Sequence, residues 1–318
     1  MRYNLESEPV ISVAMLVYNH EKYLEQALQS IFEQKIYVSY EVVIGEDCST
    51  DHSREIIEKW MKKYPGVIRL LSREHNLGMH ENFNELVFAC KGKYIAWLEG
   101  DDFWQDDYKL FKQYSFLEKN PDYTGVVCNV TVVDEEGIPD LTQQKNYPLQ
   151  KEGDFLFEDL EKGKSPGQTG TFFHRNIFKR MNERERKLVC NCHANGDTRI
   201  IGIMSLYGKI RIMPEMMSAY RFVTTGGTNW NSLTHDKNYS PIYYDKILEL
   251  ESMLSNLKGQ KISLNISRYR QIASALLIAQ RGLKKADLDV FWGLVKKEKN
   301  KAGALFYCGR LTIKHILR

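Results

Sequence analysis

Four short stretches of this chain carry side chains that could do chemistry. Glu99-Gly100-Asp101-Asp102 closes the apolar run at 94–98. Two adjacent carboxylates at such a point suit a hard divalent cation, which prefers oxygen ligands, and a diphosphate could share that cation; capping the next turn is the bland reading. Glu46-Asp47 closes a second apolar run. Asp47 could accept a hydrogen bond from a base N–H, while Ser49, Thr50 and Asp51 beside it equally suit the cap of a helix. Tyr18-Asn19 closes a third run and offers an aromatic face with a polar handle, although a lone Tyr there is more often packing. Asp197, in Asn195-Gly196-Asp197-Thr198, could take a proton from an attacking hydroxyl or simply cap a helix. His193 is a competing base.

The elements that must position these residues follow from periodicity. The runs at 10–19 and 94–98 are apolar up to their polar ends, the mark of parallel strands buried on both faces, and 40–46 and 66–74 read as the second and third strands. Between them, 20–34, 53–65 and 79–92 show helical spacing. This β-α-β-α-β-α-β order predicts a doubly wound, mostly parallel sheet with ligands at the carboxyl ends of its strands. There the acids and Tyr18-Asn19 would converge. Further on, 106–122 reads as a helix, 123–137 as a strand with a turn, and 138–170 as loop or short elements. Residues 169–181 read as a strand leading into a helix, 195–208 as a helix, 209–230 as a strand pair ending in a Gly-Gly loop, and 240–318 as helical and basic. No G-x-G-x-x-G or G-x-x-x-x-G-K-[ST] loop is present, which disfavours dehydrogenases and P-loop enzymes.

Composition narrows the class. The chain has 318 residues, 43% hydrophobic and 27% charged, so an ordered core is expected. A net charge of +3 gives no argument for nucleic acid. Six scattered cysteines read as reduced thiols of a cytosolic protein, and Cys190-Asn191-Cys192 has the wrong spacing for a zinc half-site. There is no apolar signal core at the start and no run of about 18 apolar residues to span a bilayer.

Taken together, the motifs resemble family 2 of the nucleotide-sugar glycosyltransferases. The matching pieces are ISVAMLVYNHEKYLEQALQSIFEQ, EVVIGEDCSTDHSREII, NLGMHENFNELVFACKGKYIAWLEGDDFWQDDYKL and, more weakly, GDTRI and YRF. The resemblance implies an α/β GT-A fold over residues 1–235, Rossmann-like with flanking helices, followed by a helical, basic C-terminal appendage at 236–318. It implies an inverting, single-displacement transfer of one sugar from a nucleotide-diphosphate-sugar, a UDP-sugar foremost. The acceptor would be a hydroxyl of a glycan or lipid-linked glycan, as in bacterial surface polysaccharide synthesis. Asp102, with Asp101, would hold Mn²⁺ or Mg²⁺ in a DXD-like motif, and Asp101 would also contact the donor. Asp47 would read the base, with Tyr18 and Asn19 beside it. Asp197 would be the base, and Tyr220-Arg221 with Gly226-Gly227 would close over the donor. Some positions depart from the family pattern: Cys48 where glycine is usual, Glu81 where a basic residue is common, Val223 where a His is frequent, Thr198 where Trp commonly follows the Asp. The Q-x-x-R-W signature of processive synthases is absent.

The tail from 284 to 318 mixes Lys and Arg with Phe291, Trp292, Phe306 and Tyr307. It would either pack on the catalytic part or lie on an anionic membrane, placing the protein in the cytoplasm, at the inner face of the membrane in the second case. The rival from another class is a sugar-nucleotide or glycan binding module that has lost turnover. A nucleotidyltransferase would normally need a basic, glycine-rich phosphate loop after the first strand, which 17–25 does not offer.

Overall fold

The computed structural model describes residues 8–71, 73–223, 238–282 and 285–316. Among them run nine strands in one sheet: β1 Ile11–Val17, β2 Tyr40–Glu46, β3 Ile68–Leu71, β4 Tyr94–Glu99, β5 Phe103–Trp104, β6 Tyr123–Val133, β7 Gly153–Phe155, β8 Phe173–Arg175 and β9 Lys209–Arg221. The helices are α1 Leu24–Phe32, α2 Ser53–Lys63, α3 Gly78–Ala89, α4 Lys109–Lys119, α5 Leu141–Gln144, α6 Phe157–Glu161, α7 Glu183–Cys190, α8 Gly196–Tyr207, α9 Ser240–Lys258, α10 Asn265–Gly282, α11 Lys285–Lys297 and α12 Lys301–Ile316.

The strand order is β3-β2-β1-β4-β8-β6-β9-β5, with β7 paired to β9. β1, β2, β3 and β4 are mutually parallel, and β8 runs antiparallel between β4 and β6. Alternation along each central strand sends side chains to two cores, which is why these strands are mostly apolar on both faces. Val13, Met15 and Val17 of β1 join Leu24, Ile57 and Leu110 from α1, α2 and α4. Ala14, Val43, Ile95 and Trp97 face the other way, against α3, α7, α8 and α9. Trp97 is fully buried, stacks on Phe83 at 5.0 Å and donates its indole N–H to His174 Nε2 at 2.9 Å. Such an aromatic contributes roughly 2–3 kcal/mol by burial. Burial pushes the His174 imidazole down to about 4, so it is neutral and accepts from Trp97, tying β8 to β4.

Two expectations are corrected. Residues 209–221 form one strand, not a pair. Pro214 sits in a bulge where pairing to β6 slips between Val127 and Asn129, and its carbonyl accepts from Asn129 Nδ2 at 2.8 Å. A bulge is where a strand tolerates a residue without an N–H. After β8 there is a single 3₁₀ turn at Phe178–Arg180 rather than a helix. Gly226 and Gly227 lie outside the described residues.

The C-terminal helices divide their packing. Leu250, Met253 and Leu254 of α9 belong to the main core with Ile200 and Ile203 of α8. Helices α10, α11 and α12 build a second core around Ile272, Phe291, Leu294 and Ala304. A buried ion network, Arg268 with Glu251 and Glu298 and the Tyr244 hydroxyl on Glu298, ties α9 to that second core. Among the described residues, no helix is long and apolar enough to cross a membrane.

Candidate active site

Register brings three strand ends together. Val17 pairs with Glu46, and Leu16 with Glu99, so the turns after β1, β2 and β4 share one edge of the sheet. The first two turns are laced to each other. Asn19 N–H donates to Ser49 Oγ at 3.0 Å and Asn19 Oδ1 accepts from Thr50 N at 2.8 Å. Asp51 accepts from the Ser53 and Glu21 amides, both at 2.9 Å, but the N-cap of α2 is His52, not Ser49, Thr50 or Asp51. Asn19 and Cys48 both take left-handed backbone conformations, φ 56° and 55°. That explains the family's glycine at the position of Cys48: an L-residue there is strained by about 1–2 kcal/mol.

Asp47 is buried, and both its oxygens are engaged, Oδ1 by Leu77 N–H at 2.7 Å and Oδ2 by Gly78 N–H at 2.9 Å. It fixes the loop leading into α3. Tyr18 is half-buried on the rim beside it.

The acidic turn after β4 is held from several sides. Gly100 N–H donates to Leu16 O at 3.0 Å, and a Cβ at Gly100 would lie 2.7 Å from His20 Nδ1. Glycine is therefore what lets the acids approach β1. His20 Nε2 lies 4.0 Å from Asp101 Oδ2. Asp102 is buried, and its Oδ1 accepts from the Arg221 backbone N–H at 2.8 Å. The Arg221 side chain donates to Asp101 O at 2.9 Å, Asp134 O at 3.0 Å, Glu135 O and Gln26 Oε1 at 2.7 Å, and lies 4.5 Å over the Tyr23 ring. One arginine thus joins α1, the β4 turn and the end of β6.

Asp197 is the second residue of α8, not its N-cap; Asn195 occupies that place without a side-chain cap bond. Asp197 Oδ1 accepts from Thr198 N at 2.6 Å and Thr198 Oγ1 at 3.1 Å. It lines a cavity of about 320 Å³ together with Glu99, Leu16, Tyr147, Tyr220 and Lys246. Tyr147 and Tyr220 face each other at 5.3 Å. His193 is exposed at the same cavity and pairs with Glu249 at 3.1 Å. A larger cavity of about 450 Å³, near Lys93, Arg175 and Arg180, lies at the opposite end of β4 and contains none of these acids.

The acids repel one another. Burial, then Asp101 and Asp197, pushes Glu99 up to about 8. Burial, then Asp101 and Glu99, holds Asp102 well above the ordinary carboxylate range, with Arg221 opposing. Burial raises Asp197 too, opposed by the Thr198 donors. A hard dication discharges such a cluster, and the donor set is all oxygen. Among the described residues, no three acidic, His or Cys side chains converge on one point. The residues therefore fit an ion held by one or two carboxylates and completed by phosphate oxygens and water, as magnesium sites commonly are.

Of the residues singled out in sequence, Asp101, Asp102 and Arg221 are in direct contact, and Asp197 shares its cavity with Glu99. Tyr18, Asn19 and Asp47 form the neighbouring rim but do not line that cavity. Sequence reasoning missed His20, His80, Tyr147 and Lys246. Tyr147 falls in the patternless stretch 138–170 and Lys246 beyond the last motif, so neither carries a local signal.

Residues 12–183 match the family model described as glycosyl transferase family 2. An uncharacterized protein of Mycobacterium tuberculosis is 37% identical over 130 residues, 41% of this chain and 38% of that one. A Bacillus subtilis protein provisionally named as the teichuronic acid biosynthesis glycosyltransferase TuaG is 34% identical over 110 residues, 35% of this chain and 42% of that one. The chain thus spans well under half the length of these curated relatives. Among solved structures, S. aureus TarS in complex with UDP superposes with a TM-score of 0.57 at 15% identity, covering 86% of this chain and 72% of that one. A mannosyltransferase from Pyrobaculum calidifontis with GDP-Man and Mn²⁺ gives 0.52 at 12%, covering 97% and 88%. At these identities the likeness to TarS and to the mannosyltransferase is one of fold, GT-A.

Proposed function

This chain belongs to glycosyl transferase family 2, and we propose that it moves one sugar, with inversion, from a nucleotide-diphosphate-sugar to an acceptor hydroxyl. The observation that carries this reading is that Glu99, at the carboxyl end of β4 and just before Asp101 and Asp102, lines one cavity with Asp197 of α8. The nucleotide lies along the rim of Tyr18, Asn19 and Asp47. With both oxygens on backbone amides, Asp47 sets the shape of that rim and has only its remaining lone pairs for a base N–H. Asp102, with Asp101, would hold Mn²⁺ or Mg²⁺, which when bound neutralises the charge of the departing diphosphate. Arg221 has its guanidinium engaged by the protein and acts on the donor by positioning the acidic turn.

Asp197 takes the proton of the acceptor hydroxyl. The hydroxyl oxygen bonds to the anomeric carbon from the face opposite the diphosphate, the bond to the diphosphate oxygen breaks with its electron pair, and the configuration inverts. A UDP-sugar is the first donor to try, since UDP is what TarS holds on the same fold. A glycan or lipid-linked glycan of the cell surface is the acceptor class, in keeping with the name carried by TuaG.

The test is donor binding and slow hydrolysis across UDP-, GDP- and dTDP-sugars, with and without Mn²⁺, on the wild type and Asp102→Asn. Asn keeps an oxygen for the Arg221 amide, so the fold bond survives. One donor turning over only with metal, and at least 100-fold more slowly in the variant, is expected. Tight donor binding with no transfer to any glycan acceptor in either protein would favour the binding module instead.

The membrane contact belongs to α11 and α12. Leu288, Trp292, Leu305 and Phe306 are exposed there, Phe306 at 70%, among exposed Lys285, Lys296, Lys299, Lys301 and Arg310. Apolar side chains ringed by cations suit an anionic bilayer surface. Sedimentation with phosphatidylglycerol vesicles should fall several-fold in Trp292→Ala/Phe306→Ala; sedimentation equal to wild type would remove this contact.

A further inference from the structure

His20 follows the Tyr18-Asn19 rim, and its place is fixed by the protein itself. Asn19 turns the chain in the left-handed region, φ 56°, with its N–H on Ser49 Oγ at 3.0 Å. The next N–H, that of His20, donates to Ser53 Oγ at 2.8 Å. The imidazole then packs on the acidic turn at Gly100, where a Cβ would come within 2.7 Å of Nδ1. Nδ1 is buried and has no hydrogen-bond partner. A proton there would be a sealed N–H without an acceptor, which is costly, so the ring proton sits on Nε2. Nε2 lies 4.0 Å from Asp101 Oδ2, and the two side chains keep 15% and 16% of their surface exposed. That separation is too long for a hydrogen bond, yet an oxygen about 2.8 Å from both atoms would see them at about 90°, an angle a hydroxyl can serve. The other carboxylate that feels the ring, Asp51, spends both oxygens on the Ser53 and Glu21 amides.

We propose that His20 and Asp101 form a clamp for a ribose hydroxyl of the donor, which makes His20 a specificity-determining residue for ribonucleotides. It rests on the glycosyltransferase reading above. The group between the two side chains has to accept from Nε2–H and donate to Asp101. A phosphate or carbonyl oxygen can only accept, and a phosphate would also face the Asp101 charge; a hydroxyl does both. A metal ion on Nε2 would force the proton onto the sealed Nδ1, which sets the ring apart from the acids that hold the cation. Neither His20 nor Asp101 lines the cavity of Asp197, and His20 adjoins the nucleotide rim, so the hydroxyl belongs to the nucleoside rather than to the transferred sugar or the acceptor. A nucleotide lacking that hydroxyl leaves both side chains facing a gap, and the clamp selects against it.

The test is calorimetric binding of UDP, GDP and their 2′- and 3′-deoxy forms, with saturating Mn²⁺, to the full chain as wild type, His20→Phe and His20→Gln. In wild type, one deoxy form of the nucleotide that binds is expected to bind about tenfold more weakly than the ribonucleotide, since two hydrogen bonds go with its hydroxyl. In His20→Phe the ribonucleotide should lose about fivefold and that deoxy form nothing, so the penalty shrinks to about twofold. A residue that merely shapes the turn would weaken every form equally. His20→Gln, whose amide N–H can reach the place of Nε2–H, should keep most of the penalty, and His20→Ala takes the place of His20→Phe should the latter fold poorly. The proposal is overturned if both deoxy forms bind wild type as tightly as the ribonucleotide, which would leave only a water in the gap, or if His20→Phe weakens every form by one factor. It is also overturned if His20→Phe abolishes Mn²⁺ binding, read by the paramagnetic resonance of the ion, since the ring would then be a metal ligand. A wild type that binds a ribonucleotide without these differences loses the clamp alone. One that binds neither UDP nor GDP loses the clamp and the glycosyltransferase reading together.

Discussion

Asp197→Asn should slow sugar transfer by about 1000-fold while leaving UDP affinity within about twofold. Asparagine keeps the size and the Oδ1 acceptor that meets the Thr198 N–H and hydroxyl, so α8 should start as before. What is lost is the ability to take a proton from the acceptor. Such a group is worth about 10²–10⁴ in rate when well placed. A second consequence concerns pH. A base works only when deprotonated, so activity falls as pH drops through its pKa. Burial raises that pKa above the ordinary aspartate value, so the acid limb should lie at higher pH than an ordinary aspartate would give. In the variant the limb assigned to Asp197 should vanish. Initial rates against pH, with single-turnover rates at fixed pH, would check both. Full activity in Asp197→Asn would move the base role to His193 or elsewhere.

Arg221→Ala should be the most destabilising single change near the site. The side chain is 3% exposed and donates to three backbone carbonyls and Gln26. Its removal leaves the carbonyls of Asp101, Asp134 and Glu135 short of donors, each at about 1–3 kcal/mol, so a loss of about 4 kcal/mol is expected. For a chain of this size that is roughly 10 °C in Tm. The Asp102 bond to the Arg221 backbone N–H is independent of the side chain and should persist. The damage to catalysis therefore comes through a loosened acidic turn, read as weaker metal-dependent UDP binding. Arg221→Lys should recover little, because an ammonium cannot reproduce the planar fork. Urea unfolding of the two variants, with calorimetric UDP binding, would decide. A midpoint within experimental error of wild type would show that the turn is held by its own backbone.

These two residues also mark what a single chain can disclose. Asp197 stands in a local pattern, and Asp101 and Asp102 follow a strand that is apolar from Tyr94 to Leu98; both are legible because the signal lies in adjacent letters. The central strands are legible for the same reason, since two buried faces erase the polar alternation of an ordinary strand. Arg221 is different. Its partners come from Gln26, Asp101, Asp134 and Glu135, and only folding collects them. Asp47 was legible as a residue at a strand end, but its Leu77 and Gly78 partners sit 30 and 31 positions away. Lys246 had no local feature at all. That 209–221 is one strand was not legible, because the bulge that absorbs Pro214 depends on β6.

The packing of α9 has a consequence for how proteins of this kind diversify. One helix supplies Leu250, Met253 and Leu254 to the main core and Lys246 to the wall beside Asp197. A hybrid gene joined just before this helix would give a foreign Lys246 and a foreign core ridge to the recipient at once. A junction after Gly259, where the helix has ended in a left-handed turn, would let it travel with the half it fits. Because one helix carries both the core ridge and Lys246, neither can be exchanged without the other.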